Sequence, residues 1–158
     1  MSIDRIAKRY AKSFLDLAHE LNNTDAVMQD IRFFNKAVEN RDLFLMLKSP
    51  IIQSSKKANI LNRLFGSFQK TTLGFLDIVA NKGRENILPE IAKQIEEMYN
   101  QRQGFLEATV ISPYAMDEKA LFVLKEKIGQ GKISPSKILI HNKIDKHIIG
   151  GYILEIGD

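Results

Sequence analysis

The apolar residues of this chain change their period once. Up to Met98 they recur every three or four positions; from Leu106 they alternate with polar ones. A period near 3.6 builds helices with one buried face, and a period of two builds half-buried strands. The chain is therefore expected to fold as α+β: an N-terminal six-helix bundle over residues 1–104, then a small α/β domain over 105–158. Gly104 marks the change, as a residue suited to ending a helix. A length of 158 residues is enough for two such domains.

The first segment, residues 3–21, carries Ile3, Ala7, Tyr10, Phe14, Leu17 and Leu21 at helical spacing, with Ile6, Ala11, Leu15 and Ala18 beside them. That arc covers about half the helix, wider than the ~100° an ordinary surface helix buries. Thr24 and Asp25 are expected to cap a second helix built on Val27, Ile31, Phe34 and Val38. The short run "LFLML" must stop before Pro50, because the residue preceding proline avoids helical angles. Ser54 and Ser55 are expected to cap a fourth helix that turns Ala58, Leu61, Leu64, Phe65 and Phe68 inward. A fifth follows Thr71-Thr72 and is apolar nearly all round, with Asp77 its only charge before Asn81. Lys82-Gly83-Arg84 reads as its stop: glycine accepts positive φ, and cations suit the negative end of the helix dipole. The sixth starts near Glu85, tolerates Pro89 in its first turn, and buries Leu88, Ile91, Ile95 and Met98.

Beyond Gly104, "FLEATVI" reads as a strand and "DEKALFVLKEKI" as a helix. "GQGKISPS" reads as a loop, and "KILIHNKI" and "GGYILEIG" as two further strands joined by a polar turn. The order is strand, helix, strand, strand.

Chemistry is sparse. The chain has no cysteine, hence no disulfide and no thiolate metal site. His19, His141 and His147 stand at no metal-ligand spacing, and no metal is expected. "GQGKIS" lacks the leading glycine of a phosphate loop, and Ile133 stands where that loop needs Ser or Thr. No GxSxG surrounds any serine. Neither catalytic residues nor a cofactor nor a small-molecule substrate is expected. The net charge is +4. Residues 1–104 hold 16 basic against 12 acidic residues, and residues 105–158 hold 7 of each. An excess that thin is a poor nucleic-acid footprint, so no nucleic acid is expected. An all-helical RNA-binding transcription factor nevertheless remains the alternative reading, and a small enzyme with its site between the domains is a further rival. No apolar run approaches the ~18 residues of a membrane span. Asp4 and Arg9 interrupt any secretory signal at the start, which points to a protein kept in a bacterial-type cytoplasm.

Three stretches share an order and spacing with a known family: "RYAKSFLDLA" (Arg9–Ala18), "GFLDIVANKGRENILPEI" (Gly74–Ile91) and "IIGGYILEIGD" (Ile148–Asp158). Together they resemble the delta subunit of the F-type ATP synthase, whose mitochondrial counterpart is the oligomycin-sensitivity-conferring protein. "LFLMLKSPII" is also similar to the family's short helix and turn. The resemblance implies a non-catalytic stator subunit, peripheral to the bacterial plasma membrane on its cytoplasmic side. It implies that the six-helix bundle grips N-terminal helices of alpha subunits and that the second domain meets the b subunits of the stalk. The first and fifth helices would line the groove. Carried onto this sequence, the contact positions are Tyr10, Ser13, Phe14 and Leu17, and Gly74, Leu76 and Ile78. Ser13 and Gly74 are small enough to admit a partner backbone. The resemblance also implies a turn and a last helix beyond the "IGD" stretch, so with the sequence ending at Asp158 the stalk-facing surface is expected to be incomplete.

Overall fold

The computed structural model describes residues 2–156. Gly157, the end of the last expected strand, and Asp158 after it lie outside the described residues. Those described form seven α-helices and three strands, helical in the first part and mixed in the second. They divide into two compact units between Tyr99 and Asn100.

The first unit holds α1 (Ile3–Glu20), α2 (Thr24–Val38), α3 (Arg41–Lys48), α4 (Ser54–Leu64), α5 (Lys70–Asn81) and most of α6 (Leu88–Arg102). All six helices contribute to one apolar cluster. Val27, Ile31 and Phe34 of α2 and Leu88, Ile91 and Ile95 of α6 are buried at the periods that mark those helices. The turns follow from local chemistry. Asn40 caps α3, its Oδ1 accepting from the amides of Asp42 and Leu43 at 2.9 and 3.3 Å. Ser49, before Pro50, is extended and ends that helix.

Four expectations need correction. The cap positions of α2 and α4 are Asn23 and Gln53, and neither side chain makes a cap bond. Ser54 is instead the first residue of α4, where its hydroxyl donates to Glu85 at 3.1 Å. Leu64 points outward at 57% exposure, because α4 ends there and Phe65 and Phe68 turn in to fill the core. The sixth helix, expected to begin near Glu85, becomes α-helical three residues later, at Leu88. A single 3₁₀ turn, Glu85–Ile87, precedes α6, since Pro89 has no amide proton to continue the α pattern backward.

The second unit contains β1 (Leu106–Ser112), α7 (Glu118–Gly129), β2 (Ile138–Ile144) and β3 (Ile153–Ile156). The sheet order is β2-β1-β3. β1 pairs parallel with β2, Ala108 opposite Ile140, and antiparallel with β3, Ala108 opposite Ile156. The last two strands are therefore not a hairpin. The connection through α7 sets β2 parallel on one edge, which leaves the other edge to β3. Asp117 caps α7, and Leu124, Val110 and Ile138 are buried in this unit.

Candidate functional site

The first helix has more apolar surface than the core uses. Its buried residues are Ala7, Ala11, Phe14, Leu15 and Ala18. Ile3, Leu17 and Leu21 stay 52, 44 and 54% exposed, and Ile6 and Tyr10 are half-buried. On α5 the core takes Thr72, Leu76, Val79 and Ala80, leaving Ile78 exposed at 56% and Phe75 half-buried.

These two surfaces meet. Asn23, just past α1, donates to the Thr71 hydroxyl at 2.9 Å, while Tyr10, in the first half of α1, is bonded to Arg84 just past α5. The helices thus run antiparallel. Between them Phe75 packs on Phe14 with ring centroids 4.5 Å apart and meets Tyr10 edge-on at 6.2 Å. The result is an open groove of about 430 Å³, lined by Ile6, Arg9, Tyr10, Ser13, Phe14, Leu17, Phe75, Ile78 and Arg84.

The turn after α5 sets one end of this groove. Gly83 adopts φ +65°, which an L side chain rarely takes. Its amide bonds Ala80 O at 2.8 Å and the Arg84 amide bonds Val79 O at 3.1 Å, the two bonds of a Schellman motif. The chain is thereby turned so that the Arg84 guanidinium donates to the Tyr10 hydroxyl at 3.0 Å and lies over its ring. The expectation that Lys82-Gly83-Arg84 is only a helix stop is thus half the account: Gly83 stops the helix, and Arg84 is part of the groove.

Glu85, the next residue, is locked from beneath. Its Oε1 accepts from Lys57 Nζ at 3.0 Å and from Ser54, and Lys57 also donates to Leu47 O at 2.8 Å. Burial alone would push the Glu85 carboxyl up. The hydrogen bonds from Lys57, its own backbone N–H and Ser54, with the charge of Lys57, hold it below the usual glutamate range.

Of the residues expected to meet a partner, Tyr10, Ser13, Phe14, Leu17 and Ile78 are brought together in the groove. Two are not. Leu76 is 3% exposed and belongs to the core, because it sits two positions, or about 200°, from Ile78 around the helix. Gly74 is exposed but does not line the groove, and a Cβ there would meet nothing within 4 Å. Ile6, Arg9, Phe75 and Arg84 were missed. Phe75 was detectable, since it stands three residues before Ile78 and so shares its face. Ile6 and Arg9 flank a stripe already too wide for one core. Arg84 had no periodic signal, because it lies beyond the helix. Among the described residues no carboxylate or histidine lines the groove, so those residues offer binding surface and no acid–base pair.

The family model for the ATP synthase delta (OSCP) subunit matches residues 6–158. The ATP synthase subunit delta of Christiangramia forsetii is 35% identical over 98% of this chain and 83% of its own length. That of Lactobacillus gasseri is 31% identical over 100% of this chain and 87% of its own. Among solved structures, a chain in the cryo-EM structure of the Toxoplasma gondii mitochondrial ATP synthase hexamer shares the fold, with a TM-score of 0.72. It matches over 88% of this chain and 78% of that one at 17% identity.

Proposed function

The chain belongs to the ATP synthase delta (OSCP) subunit family, and on that premise we propose that its α1–α5 groove receives an amphipathic N-terminal helix of an alpha subunit. The protein is a non-catalytic stator subunit in the peripheral stalk of the F-type ATP synthase. The RNA-binding reading finds no support in these relatives.

The observation that carries the proposal is the excess of apolar surface on α1 and α5. Leu17 and Ile78 are roughly half exposed across a groove floored by Phe14 and Phe75. A helix with apolar residues at i, i+3, i+4 and i+7 fills such a groove, and burial of those side chains supplies the affinity. In this reading the first unit acts as a six-helix bundle whose outer face is completed by the alpha helix. The second unit meets the b subunits. No described helix is long and apolar enough to cross a membrane. The subunit is held at the bacterial plasma membrane, on the cytoplasmic side, by the complex it joins.

The mechanism is mechanical. A rotor turning inside the catalytic head drags the head with it unless the head is tied to the stationary stalk. A subunit bound to both transmits the opposing torque, so rotation deforms the catalytic sites instead of spinning the head. Such a tie needs slow dissociation more than fast binding, and buried apolar anchors chiefly set the off-rate.

The test is reconstitution. Membranes of the cognate synthase stripped of this subunit are expected to lose coupled ATP synthesis and to regain it when the purified chain is added. A folded chain that neither rebinds the stripped enzyme nor restores synthesis overturns the proposal.

A further inference from the structure

The charges around the groove are one-sided. Its lining among the described residues includes two cations, Arg9 and Arg84, and no carboxylate to neutralise them. They also sit together, toward the end of the groove formed by the turn after α5, with Ile6 just beyond Arg9. Arg9 adjoins Tyr10 on α1, and Arg84 is bonded to Tyr10 from the turn after α5. Toward the other end the groove is apolar, with Phe14 packed on Phe75 and Leu17 beyond them, and Leu21 exposed one turn further along α1.

We propose that this end is a carboxylate-reading subsite: the helix that occupies the groove carries an Asp or Glu beside its apolar stripe, and Arg84 and Arg9 recognise it. The inference rests on the groove reading above and adds the chemistry of the occupant.

Arg84 suits the task. A guanidinium has five N–H donors in a rigid fork, and one of them is used on the Tyr10 hydroxyl. Its position is set before any partner arrives. The Schellman turn at Gly83 fixes its backbone, the Tyr10 ring supports its guanidinium at 5.6 Å, and the adjoining Glu85 is held by a buried ion pair. A side chain ordered in advance loses less rotamer freedom on binding. An apolar groove accepts any amphipathic helix. A fixed cation pair at one end favours an acidic one and repels a basic one, which is how charge supplies specificity where hydrophobic contact supplies affinity.

The experiment is calorimetric titration of the whole chain with two synthetic peptides. One is the N-terminal helix of the cognate alpha subunit; the other has every Asp and Glu of that helix replaced by Asn and Gln. The neutralised peptide is expected to bind about two- to fivefold more weakly at low salt, the range of a partly exposed ion pair. The difference is expected to shrink as salt rises. Arg84→Gln is expected to weaken the native peptide by a similar factor and to remove most of the preference. Arg9→Gln does the same in part and guards against a disturbed turn in the Arg84 variant. Equal affinity for the two peptides overturns this inference and leaves the groove reading standing, as does an alpha helix with no acidic residue beside its stripe. Failure of the native peptide to bind the folded chain overturns the groove reading itself, and this inference with it.

Discussion

Lys57 and Glu85 form an ion pair 3.0 Å long, with side chains only 3% and 7% exposed. The pair ties the start of α4 to the 3₁₀ turn before α6, and the bond from Lys57 to Leu47 O draws in the end of α3. Charges withdrawn this far from water hold only while both are present. Lys57→Met is expected to lower unfolding free energy by about 3–5 kcal/mol, because it strands the Glu85 carboxylate. Adding Glu85→Gln should recover part of the loss. Urea denaturation of the two variants checks both statements, and a change below ~1 kcal/mol for Lys57→Met would contradict the first.

The same carboxylate predicts a pH dependence. Glu85 lies below its ordinary value in the folded state. Its contribution is therefore complete above the unfolded-state value and is lost as pH falls through the folded one. Glu85→Gln should be less stable than the parent at neutral pH, and the gap should close below the usual glutamate range. Melting temperatures of the two proteins across the acid limb test this. A gap that stays constant there would show that the carboxylate charge is not what stabilises the turn.

Leu76 and Ile78 lie two residues apart on α5 and face opposite ways, 3% and 56% exposed. Leu76→Ala is expected to cost about 2–5 kcal/mol of stability through the cavity it leaves. Ile78→Asp should change stability by no more than ~0.5 kcal/mol. It should still weaken binding of the alpha helix by at least ~2 kcal/mol, since a partner would bury the charge unpaired. Denaturation and titration on the same preparations separate the two effects.

Asp30 caps α5 from another helix. Gln69 makes no side-chain cap bond, and Asp30 Oδ2 accepts from the Gln69 amide at 2.8 Å and from the buried Thr72 hydroxyl at 2.7 Å. Asp30→Ala is expected to cost about 1–2 kcal/mol, the range of a lost cap plus an unsatisfied hydroxyl. Faster hydrogen exchange at the first-turn amides of α5 would place the loss there. Unchanged exchange would show that the α5 terminus does not depend on Asp30.

Periodicity made the helices legible wherever one face alone is buried. Val27-Ile31-Phe34 and Leu88-Ile91-Ile95 are core in the sequence pattern and in the structure. It served less well on α5, where apolar residues surround the axis and nothing in the spacing separates Leu76 from Ile78. The groove was half legible for the same reason. The overwide arc of α1 announced surplus surface, but Arg84 depends on a turn and not on a period. Long-range partners left no local trace. Asp30 caps α5 from 39 residues away, and Ser54 serves Glu85 rather than its own helix. Strand pairing was hidden likewise, because the pattern of β2 and β3 marks them as strands without saying that β1 lies between them.

The role of the α1–α5 groove is tested by calorimetric titration of this chain with a synthetic peptide of the cognate alpha-subunit N-terminal helix, beside the Ile78→Asp variant. One-to-one binding at submicromolar affinity or tighter is expected, lost or severely weakened in a variant that melts like the parent. No binding by the folded parent, or undiminished binding by the folded variant, would contradict it.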